Sequence, residues 1–385
     1  MAKLKQLFLV GCLLAFPASL GSAHPAGGDV AFKHLAEAAF NVQQNANEAT
    51  PRAAVIAREC APPEVINSLP MQQVPGSILM TVTATIDGKP LKLLVDIGRM
   101  STELWNTTAT NLHLAVQPGR RGWDFGGRYS EGSAHLQSFT MGSMQGGGFN
   151  IQVGLDPNFA PAPFDGVMRT DIMWRYDIDL DFAHQRMNYL SPERCKGAGV
   201  YWSPTTITSV PIIAYTGMEY GDRSPIPRFS TTYVPVTLDG HPIIALLDTS
   251  SDRTFLNPDV AMKLFGLKPD SSEAGNINDS GTLIKAGLHR FSTLTFGGLT
   301  ASNPQIAIPF DIMSQSSEIT HVSKTARDTF NLHEIIPDMV IGMDVLRHSH
   351  LYLSFRNSRI YISAAGDGPA LNPSPIKQSW FNGDR

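Results

Sequence analysis

From Ile78 to Leu104 the chain reads ILMTVTATIDGKPLKLLVDIGRMSTEL. β-Branched and polar residues alternate as far as Ile86, the run breaks at Asp87-Gly88, and an apolar stretch then resumes and runs into Asp96. Period-two alternation on both sides of an Asp-Gly dipeptide predicts a β-hairpin, here one whose second strand ends at a carboxylate. The pattern returns without a gap 152 residues later, as STTYVPVTLDGHPIIALLDTSSDRTFL from Ser230 to Leu256. Asp87-Gly88 falls on Asp239-Gly240, Leu94 on Leu246, Asp96 on Asp248 and Thr102 on Thr254. A second gapless match, at an offset of 173, lays Phe164–Leu190 over Pro337–Ser363 and brings Asp171 onto Asp344 and Arg169 onto Gly342. The second copy therefore carries 21 extra residues between its halves. HRFSTLTFGGL, from His289, also echoes HLQSFTMGSM, from His135. Ordered matches of this kind predict one β unit used twice, over 75–195 and 229–365, joined by a connector at 196–228. Short helices are expected at ATNLHLAV and PDVAMKLFGL, where apolar residues recur at three- and four-residue spacing.

Composition narrows the class without changing it. Of 385 residues 42% are apolar and 17% charged, which excludes a disordered chain. The 33 glycines and 27 prolines are spread without a triplet period, as a turn-rich β protein requires, and they exclude a long bundle or coiled coil. With 30 Lys+Arg against 34 Asp+Glu, a net charge of −4 and no basic cluster, nucleic acid is not an expected partner. Residues 1–23 combine Lys3 and Lys5, an apolar run from Leu7 to Phe16 and small residues at Gly21 and Ala23, the pattern of a secretory leader cleaved after Ala23. Leu9-Val10-Gly11-Cys12 resembles a lipobox but sits in the middle of the apolar run, so plain export to the periplasm or medium is favoured over lipid anchoring at Cys12. No other stretch approaches the ~20 apolar residues of a membrane span. Residues 24–74 form an N-terminal extension with an Ala-rich amphipathic helix that Asp29 can cap, either a packed extension or a prosegment. Residues 366–385 are a C-terminal tail.

Cys60 and Cys195 remain after the leader, and an even pair in an oxidising compartment is more often a disulfide than two buried thiols. No Cys/His spacing fits zinc; His348 and His350 stand two apart without a nearby third ligand. No metal or cofactor is implied. A P-loop, a GxGxxG run and a Ser-His-Asp arrangement are all lacking from the sequence.

Leu246-Leu247-Asp248-Thr249-Ser250, with Val340-Ile341-Gly342 later, and Leu94-Val95-Asp96-Ile97-Gly98, with Val167-Met168-Arg169 later, resemble the signature of the retropepsin- and pepsin-like aspartic proteases. The resemblance covers roughly 75–365. It implies an all-β fold with a few short helices, built as two acid-protease lobes, and an exported endopeptidase acting on extended polypeptide. One chain would supply both lobes, so a monomer suffices. The catalytic pair would be Asp96 and Asp248, with Gly98, Thr249, Ser250 and Gly342 supporting the active-site loops. Asp252 and Tyr129, the latter in a Gly-rich flap tip, would be candidate substrate contacts. Two carboxyls ~3 Å apart cannot both ionise, so one keeps a proton while the other acts as base toward a shared water. Asp279-Ser280-Gly281 is a third nominal triplet, read as a polar turn near the flap of lobe 2 because Asn276-Ile277-Asn278 precedes it.

Four positions depart from the family. Ile97 lacks the hydroxyl that Thr249 retains, Ser250 and Arg169 stand where glycine is usual, and Arg99 stands where a small residue is usual. A guanidinium beside the pair would oppose the shared proton. The alternative is a catalytically silent relative that keeps the cleft and binds peptides or a protein partner. A two-carboxylate glycosidase, which needs its carboxyls ~5 Å or more apart, is a third reading.

Overall fold

The structure is a computed structural model, and it describes residues 63–99, 101–118, 130–156, 163–192, 200–202, 209–212, 232–268, 273–279, 282–310, 337–366 and 378–381. The leader, most of the N-terminal extension with its expected helix, Cys60, Tyr129 and Cys195 lie outside the described residues.

The repeated hairpins form as the pattern requires. Met80–Ile86 pairs antiparallel with Lys89–Val95, and Tyr233–Leu238 with His241–Leu247. Their turns carry Asp87 at φ 49° and Gly88 at 79°, and Asp239 at 45° and Gly240 at 81°. Two consecutive positive φ angles make the tight turn whose twist matches the flanking strands, and Asp-Gly tolerates it. In both second strands the first two residues are exposed and the last three are buried, so each strand delivers its aspartate to the interior.

The two large sheets share one strand order. In the first it runs Met144–Gly146, Phe139–Met141, Met80–Ile86, Lys89–Val95, Gly166–Met168, Glu103–Trp105, Phe149–Gly154, Ser130–Leu136, Val116–Pro118. In the second it runs Leu299–Ser302, Thr293–Phe296, Tyr233–Leu238, His241–Leu247, Met339–Ile341, Phe255–Leu256, Gln305–Pro309, Thr282–Arg290, Glu273–Asp279. The first sheet adds Gln378–Phe381 at one end, where the C-terminal tail returns to lie parallel beside Met144–Gly146. At the centre of each, a three-residue strand, Gly166–Met168 or Met339–Ile341, enters parallel to the aspartate-bearing strand. Inserted there, it is antiparallel to the short strand that follows the aspartate loop.

A third, six-stranded sheet joins the lobes. Val65–Pro70, Arg186–Leu190 and Asp177–Asp181 come from the first half, and Ser349–Ser354, Arg359–Ala364 and Ser209–Pro211 lie on the other side of the Asp177–Asp181/Ser349–Ser354 seam. Asp179 and His350 meet across that seam at 2.6 Å, both with wholly buried side chains.

Both expected helices are present, with shifted bounds. Pro258–Phe265 is capped by the Asn257 side chain, which accepts from the Asp259 amide, and it ends at Gly266 in the left-handed region. In lobe 1 the helix is Asn106–Asn111, earlier than the apolar spacing suggested, and His113 at φ 59° turns the chain out before Val116 starts a strand. Among the described residues no helix is long and apolar enough to cross a membrane.

Candidate active site

Each aspartate sits where its strand ends against the inserted strand. The Asp96 amide donates to Met168 O at 2.9 Å and that of Asp248 to Ile341 O at 3.0 Å. Two residues on, the amides of Gly98 and Ser250 turn back to Oδ1 of Asp96 and Asp248, at 2.7 and 2.8 Å. Behind each loop stands a threonine. Thr102 Oγ1 accepts from the Arg169 amide and donates to Asp171, while Thr254 Oγ1 accepts from the Gly342 amide and donates to Asp344. The same bonds between repeat-related residues mean that the two loops are held by one scheme.

The loops also hold each other. Thr249 Oγ1 donates to Val95 O at 2.7 Å and accepts from the Ile97 amide at 3.2 Å. Ile97 is fully buried and answers only through its backbone, its carbonyl accepting from Thr232 Oγ1 at 2.6 Å. Thr232 was not singled out in the sequence, where the repeat sets it opposite Met80. The backbones pass closely at Gly98, where a Cβ would lie 3.1 Å from Leu247 O and 3.3 Å from Asp248 Cα. Ser250, at the corresponding place in lobe 2, uses its side chain instead, its hydroxyl donating to Asp248 Oδ1 at 2.6 Å.

Arg169 points into the site. Its Nε donates to Asp96 Oδ2 at 3.0 Å, Nη1 to Ser101 O at 3.0 Å, and Nη2 lies 3.0 Å from Glu103 Oε1, all in a buried setting. Burial pushes the Asp96 carboxyl up, the nearby charge of Asp248 pushes the same way, and Arg169, Arg99 and the Gly98 amide oppose them, leaving it at about 6. Glu103 is a second residue the sequence reading passed over. The repeat held the signal, because Glu103 falls on the apolar Phe255. Lobe 2 has no room for such a side chain: a Cβ on Gly342 would lie 2.3 Å from Arg253 O. In lobe 1 the residue matching Arg253 is Ser101, which takes φ 67°, a left-handed conformation that few serines adopt.

Asp252 faces the other lobe. Its Oδ1 accepts from Ser77 Oγ at 2.5 Å and from the Ile78 amide at 3.1 Å, so it grips a backbone N–H of its own chain. Asp279 departs from the expectation of a simple polar turn. It ends the strand Glu273–Asp279, and its Oδ1 accepts from Ser251 Oγ at 2.9 Å and from the Asp252 amide at 2.7 Å. The run Asn276-Ile277-Asn278 argued against a strand only because a buried one was assumed; it lies in a hairpin whose Gly275 and Asn276 are exposed. Burial is the main cause raising Asp279, to about 7, with the charge of Asp248 adding to it against the Ser251 bond.

Buried carboxyls with raised values give the fold a pH dependence of definite sign. Asp96 at about 6 and Asp279 at about 7 bind protons more tightly folded than unfolded, where ~3.9 is usual. Their stabilisation is fully present below that unfolded value and is lost as pH rises through 6 to 7. Asp171, Asp177 and Asp344, all raised chiefly by burial, act in the same direction. The melting temperature should therefore be higher at pH 5 than at pH 8, with about 1.4 kcal/mol of the difference from Asp96 alone. Calorimetry finding a flat or rising profile across that range would refute the assignment.

Residues 234–345 match the family described as Aspartyl protease. No curated protein matches the chain. Among the 411 matching chains of solved structures is the crystal structure of aspartic proteinase from Irpex lacteus, 13% identical over 78% of this chain and 97% of that one, with a TM-score of 0.44.

Proposed function

We propose, from a second lobe of the aspartyl protease family and a first lobe of the same strand order, that the chain is an aspartic endopeptidase whose water is activated between Asp96 and Asp248. One observation carries the reading. Two strand-end carboxyls, held by matching amide and threonine bonds, are brought together across a lobe junction that Thr249 ties to Val95 and Ile97. The pair holds one proton between them in acid, and it belongs to the pair rather than to either residue. One carboxyl takes a proton from the water as it attacks the peptide carbonyl, and the other donates to the carbonyl oxygen. Extended polypeptide is the substrate class. Export, in keeping with the leader pattern of residues 1–23, is part of the proposal.

The Asp96–Arg169 ion pair favours a second reading, a silent peptide-binding relative, because a guanidinium 3.0 Å from the carboxylate resists the shared proton. Digestion of a peptide library between pH 3 and 8 separates the two. The enzyme reading expects slow cleavage that declines through about pH 6, and a loss of at least ~100-fold in Asp248→Asn. Peptide binding without cleavage at any pH would leave the silent reading standing.

A further inference from the structure

The hairpin of Glu273–Asp279 and Thr282–Arg290 forms one end of the second large sheet, with Ile277 and Ile284 packed against the cluster of Phe255, Ala286 and Ala307. At its tip Asp279 pairs in register with Thr282 and reaches the loop that follows Asp248. We propose that Asp279 is a proton-controlled clasp, which holds this hairpin on the Asp248 loop and so sets peptide access to the lobe 2 side of the cleft. The consequence for access rests on the peptidase reading; the clasp itself does not.

Four linked hydrogen bonds carry the inference. Asp279 Oδ1 takes both the Ser251 hydroxyl and the Asp252 amide, so one carboxyl oxygen fastens two residues of the loop. Asp252 in turn takes Ser77 and Ile78 of lobe 1, so the hairpin tip, the catalytic loop and the opposite lobe form one chain of hydrogen bonds. Both bonds to Asp279 need only an acceptor, so a protonated carboxyl or an amide oxygen can make them as well as a carboxylate. What changes on ionisation is the cost of placing a third negative charge there. Asp248 and Asp252 face Asp279 from the loop. Arg253, next in that loop, lies near Asp344 in the short helix Met343–Leu346, and Lys285 on the partner strand stands over the Phe310 ring. The surroundings therefore favour the neutral form, in agreement with its value of about 7. A group whose closed-state value is raised stabilises closure in acid and loses that stabilisation as pH climbs through it. The hairpin is thus expected closed at pH 5 and loosened at pH 9.

Amide exchange of the full-length protein without substrate tests this, after correction for the intrinsic pH dependence of exchange. Protection of segments 249–256 and 273–290 should fall at least about tenfold between pH 5 and 9 in the wild type. In Asp279→Asn, where the acceptor stays and the charge cannot form, protection should remain high throughout. Asp279→Ala should be unprotected at both pH values while the Asp177–Asp181 and Ser349–Ser354 strands keep their wild-type protection. Wild-type protection independent of pH, or Asp279→Asn falling with the wild type, would overturn the clasp. Neither result bears on whether Asp96 and Asp248 cleave peptides, which the library digestion reads separately.

Discussion

Arg169→Gly should cost about 3–5 kcal/mol of folding stability, although it restores the residue that lobe 2 carries at the same place. Asp96 and Glu103 both meet the Arg169 guanidinium at 3.0 Å in buried positions, and removing it leaves two interior carboxylates facing each other's field. The loss should be larger at pH 8 than at pH 5, because in acid the carboxyls escape it by taking up protons. Adding Glu103→Phe should recover most of the loss, since the second lobe carries Phe255 and Gly342 at the two matching positions. Catalysis should move the other way from stability. Arg169 is the leading influence holding the Asp96 carboxyl down, so without it that value rises above about 6 and the proton-sharing range extends upward. On the endopeptidase reading, cleavage by the double variant, with or without Ile97→Thr, should therefore persist to higher pH than in the wild type. Denaturation at the two pH values checks the first claim and a pH–rate profile the second. A single variant as stable as the wild type would mean that the ion pair contributes nothing.

The fold was legible because repetition is written into the chain at a coarse level. Hairpins, Asp-Gly turns and apolar strands running into Asp96 and Asp248 are local patterns, and local patterns survive in sequence. The lobe junction is partly legible through Thr249, the retained hydroxyl of the repeat, which bonds to Val95 and Ile97 of the other lobe. Other site contacts are harder to read because each joins residues far apart in the chain. Thr232 reaches Ile97 over 135 positions and Asp279 reaches Ser251 over 28, and neither spacing has a local signature. Arg169 is an intermediate case. Its departure from glycine was visible, but its direction depended on the Ser101 backbone and on Glu103, a carboxylate in a strand that otherwise reads as apolar. Comparing the copies position by position exposes such a residue, since a charge opposite Phe255 needs a partner.

His350→Ala should also destabilise by about 3–5 kcal/mol, and His184→Ala by no more than about 1 kcal/mol, although both histidines lie 2.6 Å from an aspartate. Burial makes the difference. The His184 side chain is 39% exposed, so water replaces much of what it gives Asp181. His350 and Asp179 are both at 0%, with Asn188 and Tyr201 donating to the other Asp179 oxygen and the Trp202 ring stacked 3.9 Å from the imidazole. Deleting the imidazole removes one hydrogen-bond partner of the buried Asp179 side chain and opens a void beneath that ring. The site extends the consequence to function. Asp177–Asp181 and Ser349–Ser354 are the adjoining strands through which the two lobes share a sheet. On the endopeptidase reading, loosening it should lower cleavage more than it lowers the helical and hairpin signals of either lobe, a split that parallel activity and exchange measurements would read. Equal destabilisation by the two histidine variants would mean that the seam is not held by its buried pair.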